Sequence, residues 1–220
     1  MTVDGTASEN LVYKRATPDD SSVIKEFLLT DFYKGEPTNR DFAPVIDDIL
    51  SRSITSGYNT VVFDSTTDRV VAVRLCSVMT RPENAAETKA EAESYVFGRT
   101  GQVLEDMINT LHSAFWDLVD ADVTKVLHRE IVSVASTHQR RGIASTLQRL
   151  HIEPETLKAD GIQGIVSETS SLANQRLLAR DGFLPLKTIL HSEMRDADGN
   201  PRLQCDDGTD RMVLNFKRLL

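Results

Sequence analysis

The apolar positions of the chain repeat every second residue in some stretches and every three to four residues in others. The first period is typical of β-strands and the second of amphipathic α-helices. Strands are predicted at residues 11–17, 59–64, 69–79, 125–134, 162–168, 183–194 and 210–219. Because helical patterns separate most of these strands, their order predicts a mixed α/β sheet flanked by helices.

The helical patterns predict which side chains cover the sheet. Thr17 and Pro18 supply a cap and a first-turn residue for the first helix. Pro154 is expected to kink or end the helix that follows residue 142. We interpret the chain as a single domain over residues 1–220, with flexible residues 1–10 and a helical elaboration at 81–120. The predicted apolar stripes are Val23, Ile24, Phe27 and Leu28, then Phe42, Val45, Ile46, Ile49 and Leu50, then Leu104, Met107, Leu111, Phe115 and Leu118.

Composition narrows the possible partners. The formal net charge of −8 disfavours a nucleic-acid partner and suits a cationic substrate. No apolar run is long enough for a membrane span, and the polar first residues do not resemble a secretory leader, so we expect no membrane partner. Cys76 and Cys205 make no disulfide framework, which favours a reduced, cytoplasmic protein. Both a monomer and a dimer are compatible with these features.

The turn HQRRGIAS, residues 138–145, follows a predicted strand and precedes a predicted helix. The first N–H groups of a helix lack intrahelical partners and face the positive end of its dipole, so this arrangement suits an anion. The P-loop pattern is absent, and a single glycine does not make a dinucleotide fingerprint. The turn therefore indicates either a phosphate site or a basic surface turn with an ordinary helix cap.

Three segments together resemble the GNAT superfamily of N-acetyltransferases. QRRGIA at 139–144 fits its Q/R-x-x-G-x-G/A motif, and VSV at 132–134 is similar to the strand that precedes that motif. ANQRLLARDGF at 173–183 resembles its second motif, in which an Asn-bearing helix comes before GF. The order of elements also matches over nearly the whole chain. The resemblance implies the GNAT fold, with a centrally splayed sheet.

The same resemblance implies acetyl-coenzyme A (acetyl-CoA) as co-substrate. Backbone N–H groups of the turn are implied to hold its pyrophosphate, with added charge from the two arginines. The preceding strand is implied to pair with the pantetheine arm, and the Val134 N–H to stabilise the oxyanion. The implied contact residues are Val132, Ser133, Val134, Gln139, Arg140, Arg141, Gly142, Ile143, Ala144, Ser145 and Asn174.

A shorter resemblance concerns the acceptor. FYKGEPTN at 32–39 is similar to a segment of invertebrate arylalkylamine N-acetyltransferases, where a glutamate is the catalytic base. That glutamate corresponds to Glu36, and Ser170 matches one of the serines proposed to assist. The resemblance implies direct attack by an amine such as dopamine, serotonin, tyramine or octopamine. Thr38 replaces the usual Leu, and Leu178 replaces a Tyr that donates a proton to the thiolate in many members.

Other interpretations stay open from the residues alone. Glu130 is a rival base, because it shares a strand face with Val132 and Val134, although a salt-bridged glutamate would look the same. His128 on that face is either catalytic or structural. Ser170 is either a proton relay or a helix cap.

The acceptor pocket and the activity also have alternatives. Met107, Phe115 and Trp116 line either a pocket or the core. The five histidines show no metal-ligand spacing, so no metal is expected. The acceptor is alternatively a polyamine, an amino acid or a protein amine. An acyl-CoA-binding module without turnover is the competing class of protein, since the expected Tyr is missing.

Overall fold

The structure, a computed structural model, describes residues 10–32, 43–83, 99–196, 198–200, 202–203, 205 and 208–219. The strands are β1 (Leu11–Arg15), β2 (Thr60–Asp64), β3 (Arg69–Thr80), β4 (Lys125–Val134), β5 (Gly164–Thr169), β6 (Leu184–Leu190) and β7 (Arg211–Arg218). The α-helices are α1 (Ser21–Phe27), α2 (Ala43–Ser53), α3 (Arg99–Leu118), α4 (Ile143–Leu147), α5 (Pro154–Ala159) and α6 (Leu172–Arg180). Short 3₁₀ turns lie at Pro18–Asp20, Ser136–His138 and His191–Glu193, and a π turn at Leu28–Phe32.

The strands form one seven-stranded sheet in the order β1-β2-β3-β4-β5-β7-β6. Strands β1 and β2, β2 and β3, β5 and β7, and β6 and β7 pair antiparallel. Strands β4 and β5 pair parallel, so the predicted mixed sheet is confirmed. Their register covers only Leu127 with Ile165 and His128 with Val166, although both strands continue further. Such a short pairing fits the splayed sheet centre that the sequence predicts.

Contacts divide the chain into two compact units. The first comprises Met1–Ser77 and Glu130–Glu153, and the second Val78–Arg129 and Pro154–Leu220. In the first unit, apolar faces of α1, α2 and α4 pack with strand residues such as Val62 and Val73. In the second unit, Met107, Leu111 and Phe115 of α3 pack with residues of β5, β6 and β7.

The predicted stripes are largely confirmed. Ile24, Phe27, Leu28, Ile46, Ile49 and Leu50 are buried in the first unit. Two residues depart from the pattern: Val23 is 40% exposed and Leu118 is 43% exposed, because each lies at the border of its helix face. The prediction for Phe42 lies outside the described residues.

The predicted effect of Pro154 is wrong. Helix α4 ends at Leu147, well before the proline, and Pro154 instead begins helix α5. A proline suits that first helical position, because its missing N–H would have no intrahelical partner there. The Arg74 side chain binds the carbonyl group of Leu147, the residue at which α4 ends.

Arg74 of β3 is a fully buried cation in the first unit. Its guanidinium donates to the Leu147 carbonyl, to the Leu150 carbonyl at 2.8 Å and to the Tyr58 carbonyl at 2.6 Å. The Thr60 hydroxyl accepts a further bond at 3.2 Å. Burial lowers the pKa of Arg74 from its ordinary value, but arginine still stays charged in proteins. A positive charge at the carboxyl end of α4 also interacts favourably with the negative end of the helix dipole.

None of the described helices combines the length and apolar character that crossing a membrane requires.

Candidate functional site

The segment that leaves β4 is held in place by backbone and side-chain hydrogen bonds. The Ala135 N–H donates to the Val71 carbonyl at 2.8 Å, and the His138 N–H donates to the Ala135 carbonyl at 2.8 Å. The Gln139 side-chain amide then donates to the Val134 carbonyl at 3.2 Å. These bonds fix the path from the last strand residue into the turn.

Two residues of this turn have left-handed backbone conformations. Arg140 has φ 61° and Gly142 has φ 80°. A Cβ on Gly142 would meet no atom within 4 Å, so the left-handed φ rather than crowding favours glycine there. Arg140 carries a side chain in the same region, a strain of roughly 1 kcal/mol that is common at ligand sites. The turn is therefore held in an unusual backbone shape.

Helix α4 begins directly after Gly142. Its first regular bond runs from the Thr146 N–H to the Gly142 carbonyl at 3.0 Å, which leaves the N–H groups of Ile143, Ala144 and Ser145 ahead of the helical ladder. The Arg140 and Arg141 side chains are exposed and form no ion pair with any described residue. The turn thus combines backbone donors at a helix start with two exposed guanidinium groups, an arrangement that suits an anion.

Strand β4 alternates in burial before it reaches the turn. Ile131 and Ser133 are buried, whereas Glu130, Val132 and Val134 lie on the opposite face and are, as whole residues, less buried. The prediction that Glu130, Val132 and Val134 share a face is confirmed.

The Glu130 carboxylate is bound on both oxygens. Arg52 Nε and Nη2 donate to Oε1 and Oε2 at 2.7 and 2.9 Å, and the Ser77 hydroxyl donates to Oε1 at 2.7 Å. The carboxylate side chain is only 4% exposed. An adjacent guanidinium and a hydrogen bond both favour the ionised carboxylate over its protonated form. Glu130 is therefore a salt-bridged strand residue.

Ser170 lies just before α6, and Asn174 lies in the first turn of that helix. Ser171, not Ser170, caps the helix, because its Oγ accepts from the Asn174 N–H at 3.3 Å. The cap interpretation of Ser170 is therefore wrong, and Ser170 is exposed. The side-chain oxygen Oδ1 of Asn174 is buried and accepts no hydrogen bond from a described residue. A buried acceptor without a donor is costly, so the environment of this oxygen calls for explanation.

A cluster that sequence spacing did not reveal lies in the second unit. Glu168 of β5 contacts His128 Nε2 of β4 at 2.6 Å and His112 Nδ1 of α3 at 3.2 Å. Burial alone would raise the pKa of Glu168, but the charge and hydrogen bonds of the two histidines outweigh it and lower the pKa. His128 thus has a carboxylate partner, which the sequence did not indicate because Glu168 lies 40 positions further along the chain.

The remaining aromatic candidates belong to the core. Met107 is 1% exposed, Phe115 0% and Trp116 8%, and Phe115 stacks edge-on against Phe216 at 5.4 Å. These side chains pack in the second unit, as the core interpretation predicts.

The candidates fall into three groups. Residues 130–134 and 139–145 lie in the first unit, and Ser170, Asn174 and the histidine–glutamate cluster lie in the second. Glu36 lies outside the described residues, so its role stays a prediction.

Comparison with solved structures identifies the class of fold. Arylalkylamine N-acetyltransferase 2 from Aedes aegypti is 15% identical, covers 96% of this chain and 100% of its own, and has a TM-score of 0.72. The Drosophila melanogaster polyamine N-acetyltransferase that forms N-acetylagmatine is 18% identical, with 96% and 100% coverage and a TM-score of 0.70. A more distant match, the NatC complex bound to Gag peptide and CoA, is 15% identical, with 96% and 99% coverage and a TM-score of 0.56.

The chain therefore has the GNAT fold, and the fold predicted from the sequence is confirmed. No family model and no curated protein matches the sequence. At sequence identities of 15–18%, the likeness to these structures establishes the fold and not the activity or the substrate.

Proposed function

We propose that this protein is an N-acetyltransferase that moves an acetyl group from acetyl-CoA to a small primary amine. The observation that carries the proposal is the β4–turn–α4 segment. Its left-handed Arg140 and Gly142, exposed arginines and helix-start N–H groups form a phosphate-binding shape in a GNAT fold. The solved structures with this fold include several amine N-acetyltransferases and one complex with CoA.

The residues present fit an acyl-CoA. In the proposal, the N–H groups of residues 139–145 bind the pyrophosphate, and Arg140 and Arg141 add charge. Val132, Ser133 and Val134 pair with the pantetheine arm as an added strand would. Asn174, whose Oδ1 has no donor among the described residues, is proposed on the resemblance alone to bond the pantetheine arm.

The proposed chemistry is direct attack on the thioester. A primary ammonium ion must lose a proton before its nitrogen can attack the carbonyl carbon. Glu36 is our proposed base, directly or through a water molecule. The Val134 N–H stabilises the developing oxyanion, and the C–S bond then breaks to release CoA.

Glu130 and Ser170 are secondary candidates for proton transfer in this mechanism. The Glu130 carboxylate already binds Arg52 and Ser77. Ser170 is exposed and does not cap α6, so its hydroxyl stays available as a proton relay.

We propose arylalkylamines as the acceptors, with polyamines as the nearest alternative. The solved structures with this fold include enzymes named for each class. The net charge of −8 attracts both, since both are cationic. An amino acid or a protein amine is a further alternative.

One observation favours a second function, an acyl-CoA-binding module without turnover. Leu178 occupies the position where many GNAT enzymes have a proton-donating Tyr, and it is 0% exposed. An apolar, buried side chain cannot protonate a thiolate. If the protein is an enzyme, another group or water supplies that proton.

The proposed cofactor site is tested by changing Arg140 and Arg141 together to Ala and measuring acetyl-CoA binding by calorimetry. Each charge-assisted bond to phosphate contributes roughly 1.5 kcal/mol, so the double variant should bind at least about tenfold more weakly. The loss should shrink as salt is raised, because salt screens exposed charges. Arg180→Ala, an exposed arginine of α6, is the matched control and should bind normally. Equal affinity in the double variant and the control would contradict this account of the turn.

A further inference from the structure

His112, His128 and Glu168 bring three metal-ligand atoms together from three separate elements. One imidazole nitrogen of His112, one of His128 and one carboxylate oxygen of Glu168 all lie within 4.8 Å of one another. The carboxylate directs one oxygen to each histidine, at 3.2 and 2.6 Å. Because α3, β4 and β5 each supply one side chain within one compact unit, the arrangement is held by the packed core.

The Glu168 carboxylate needs a positive charge beside it, which its two histidine partners carry only when they are protonated. The Glu168 side chain is 7% exposed, and among the described residues it forms ion pairs with the two histidines. An imidazole carries a permanent charge only when protonated, whereas a buried carboxylate is costly unless a positive charge faces it. Glu130, by contrast, has a permanent guanidinium partner in Arg52. The cluster can complete its charge with a proton or with a divalent metal ion.

We propose that His112, His128 and Glu168 bind a divalent transition-metal ion of the zinc class. Two imidazole nitrogens and a carboxylate oxygen are ligands that Zn²⁺ accepts, whereas Mg²⁺ and Ca²⁺ prefer oxygen ligands throughout. Tetrahedral zinc ligands lie roughly 3.3 Å apart, so small side-chain rotations bring the three donors into place. The metal replaces the hydrogen bonds between Glu168 and the two rings.

The exposure of the three side chains indicates how the site is reached. His128 and Glu168 are 8% and 7% exposed, whereas His112 is 36% exposed. The ion therefore enters from the His112 side. Three protein ligands leave a fourth position for water or another donor, the pattern of zinc sites that are not purely structural. The site is independent of the proposed acetyltransferase activity.

The test uses the full chain after treatment with a chelator. Zn²⁺ is titrated in competition with a chromophoric chelator, and Co²⁺ binding is followed by visible absorption. We expect one metal ion per chain and a cobalt spectrum of tetrahedral N/O ligation. Far-ultraviolet circular dichroism confirms that each variant is folded.

The ligand variants are His112→Ala, which alters a partly exposed side chain, and Glu168→Gln, which keeps the side-chain shape. Since loss of even an outer partner costs 10–100-fold in metal affinity, each should weaken zinc binding by roughly 100-fold. His138→Ala removes a histidine outside the cluster and should leave the affinity unchanged. The proposal is overturned if the wild-type chain takes up no zinc, or if either ligand variant binds zinc as tightly as the control.

Discussion

Two buried carboxylates, Glu130 and Glu168, differ in chemistry because they differ in partners. Arg52 gives Glu130 a permanent positive neighbour, whereas Glu168 faces imidazoles that a proton or a metal must charge. Both carboxylates already have side-chain partners, so neither is free to take a proton from an ammonium group. At the scale of single residues, these contacts leave Glu36 as the stronger proposal for the base.

Glu36→Gln tests that assignment. Removal of a general base lowers turnover by roughly 100-fold or more, and it should leave acetyl-CoA affinity nearly unchanged because the residue is not proposed to bind CoA. Steady-state rates and calorimetric binding constants measure the two effects separately. Asp31→Asn is the matched control in the same region of the chain and should retain activity.

An equal loss of turnover and cofactor affinity in Glu36→Gln would contradict its role as base. Full activity in that variant would do the same and would return attention to Ser170 and Glu130.

Single residues also show where sequence reasoning reached its limit. Alternation along β4 placed Glu130, Val132 and Val134 on one face, because strand periodicity is local. The partner of Glu130 lies 78 positions away, and that of His112 lies 56 positions away. No local pattern contains such distances, so the salt bridge and the histidine cluster emerge only when the chain is folded.

At the scale of elements, the capping signal at residues 17–20 was predicted and is present. The Thr17 N–H and hydroxyl donate to Asp20 Oδ2 at 2.9 and 3.1 Å, and Lys14 Nζ donates to Oδ1 at 2.7 Å. Burial alone would raise the pKa of Asp20, but these bonds outweigh it and lower the pKa from 3.8. The cap thus stabilises the fold through an ionised carboxylate.

Asp20→Asn should lower the free energy of unfolding by about 1 kcal/mol at pH 7. Because the folded-state pKa of Asp20 is lowered, its contribution is complete above the ordinary pKa of 3.8 and is lost as pH falls through the folded value. The difference between wild type and variant should therefore narrow in acid. Urea unfolding at several pH values measures it, and a difference that grows as the pH falls would refute this account.

Arg74 was not singled out from the sequence, since an arginine within an apolar strand is compatible with several roles. Its guanidinium binds carbonyl groups at the end of α4 and before β2, so one side chain joins three elements of the first unit. The Leu147 carbonyl at the end of α4 accepts from Arg74, and Pro154 lies further along the chain, where it begins α5.

Arg74→Met should lower the free energy of unfolding by roughly 3 kcal/mol, because it leaves several buried acceptors without a donor. Arg69→Met, an exposed position on the same strand, should change it by less than about 0.5 kcal/mol. Chemical denaturation compares the two variants. Similar stabilities for both would show that the buried guanidinium contributes little.

At the scale of the whole molecule, the order of strands and helices was predictable although the matched structures share only 15–18% of their residues with this chain. Apolar periodicity and turn residues survive much substitution, because a core needs apolar volume more than particular side chains. The acceptor was not predictable in this way. Its choice depends on side chains brought together from distant positions.

The most direct test of the central claim is a thiol-release assay. The wild-type chain is incubated with acetyl-CoA and with arylalkylamines, polyamines and lysine peptides in turn. The account predicts amine-dependent release of one CoA thiol for each N-acetylated amine formed, with the fastest rates for arylalkylamines. Binding of acetyl-CoA without thiol release for any amine would contradict the proposed acetyltransferase and favour the binding module.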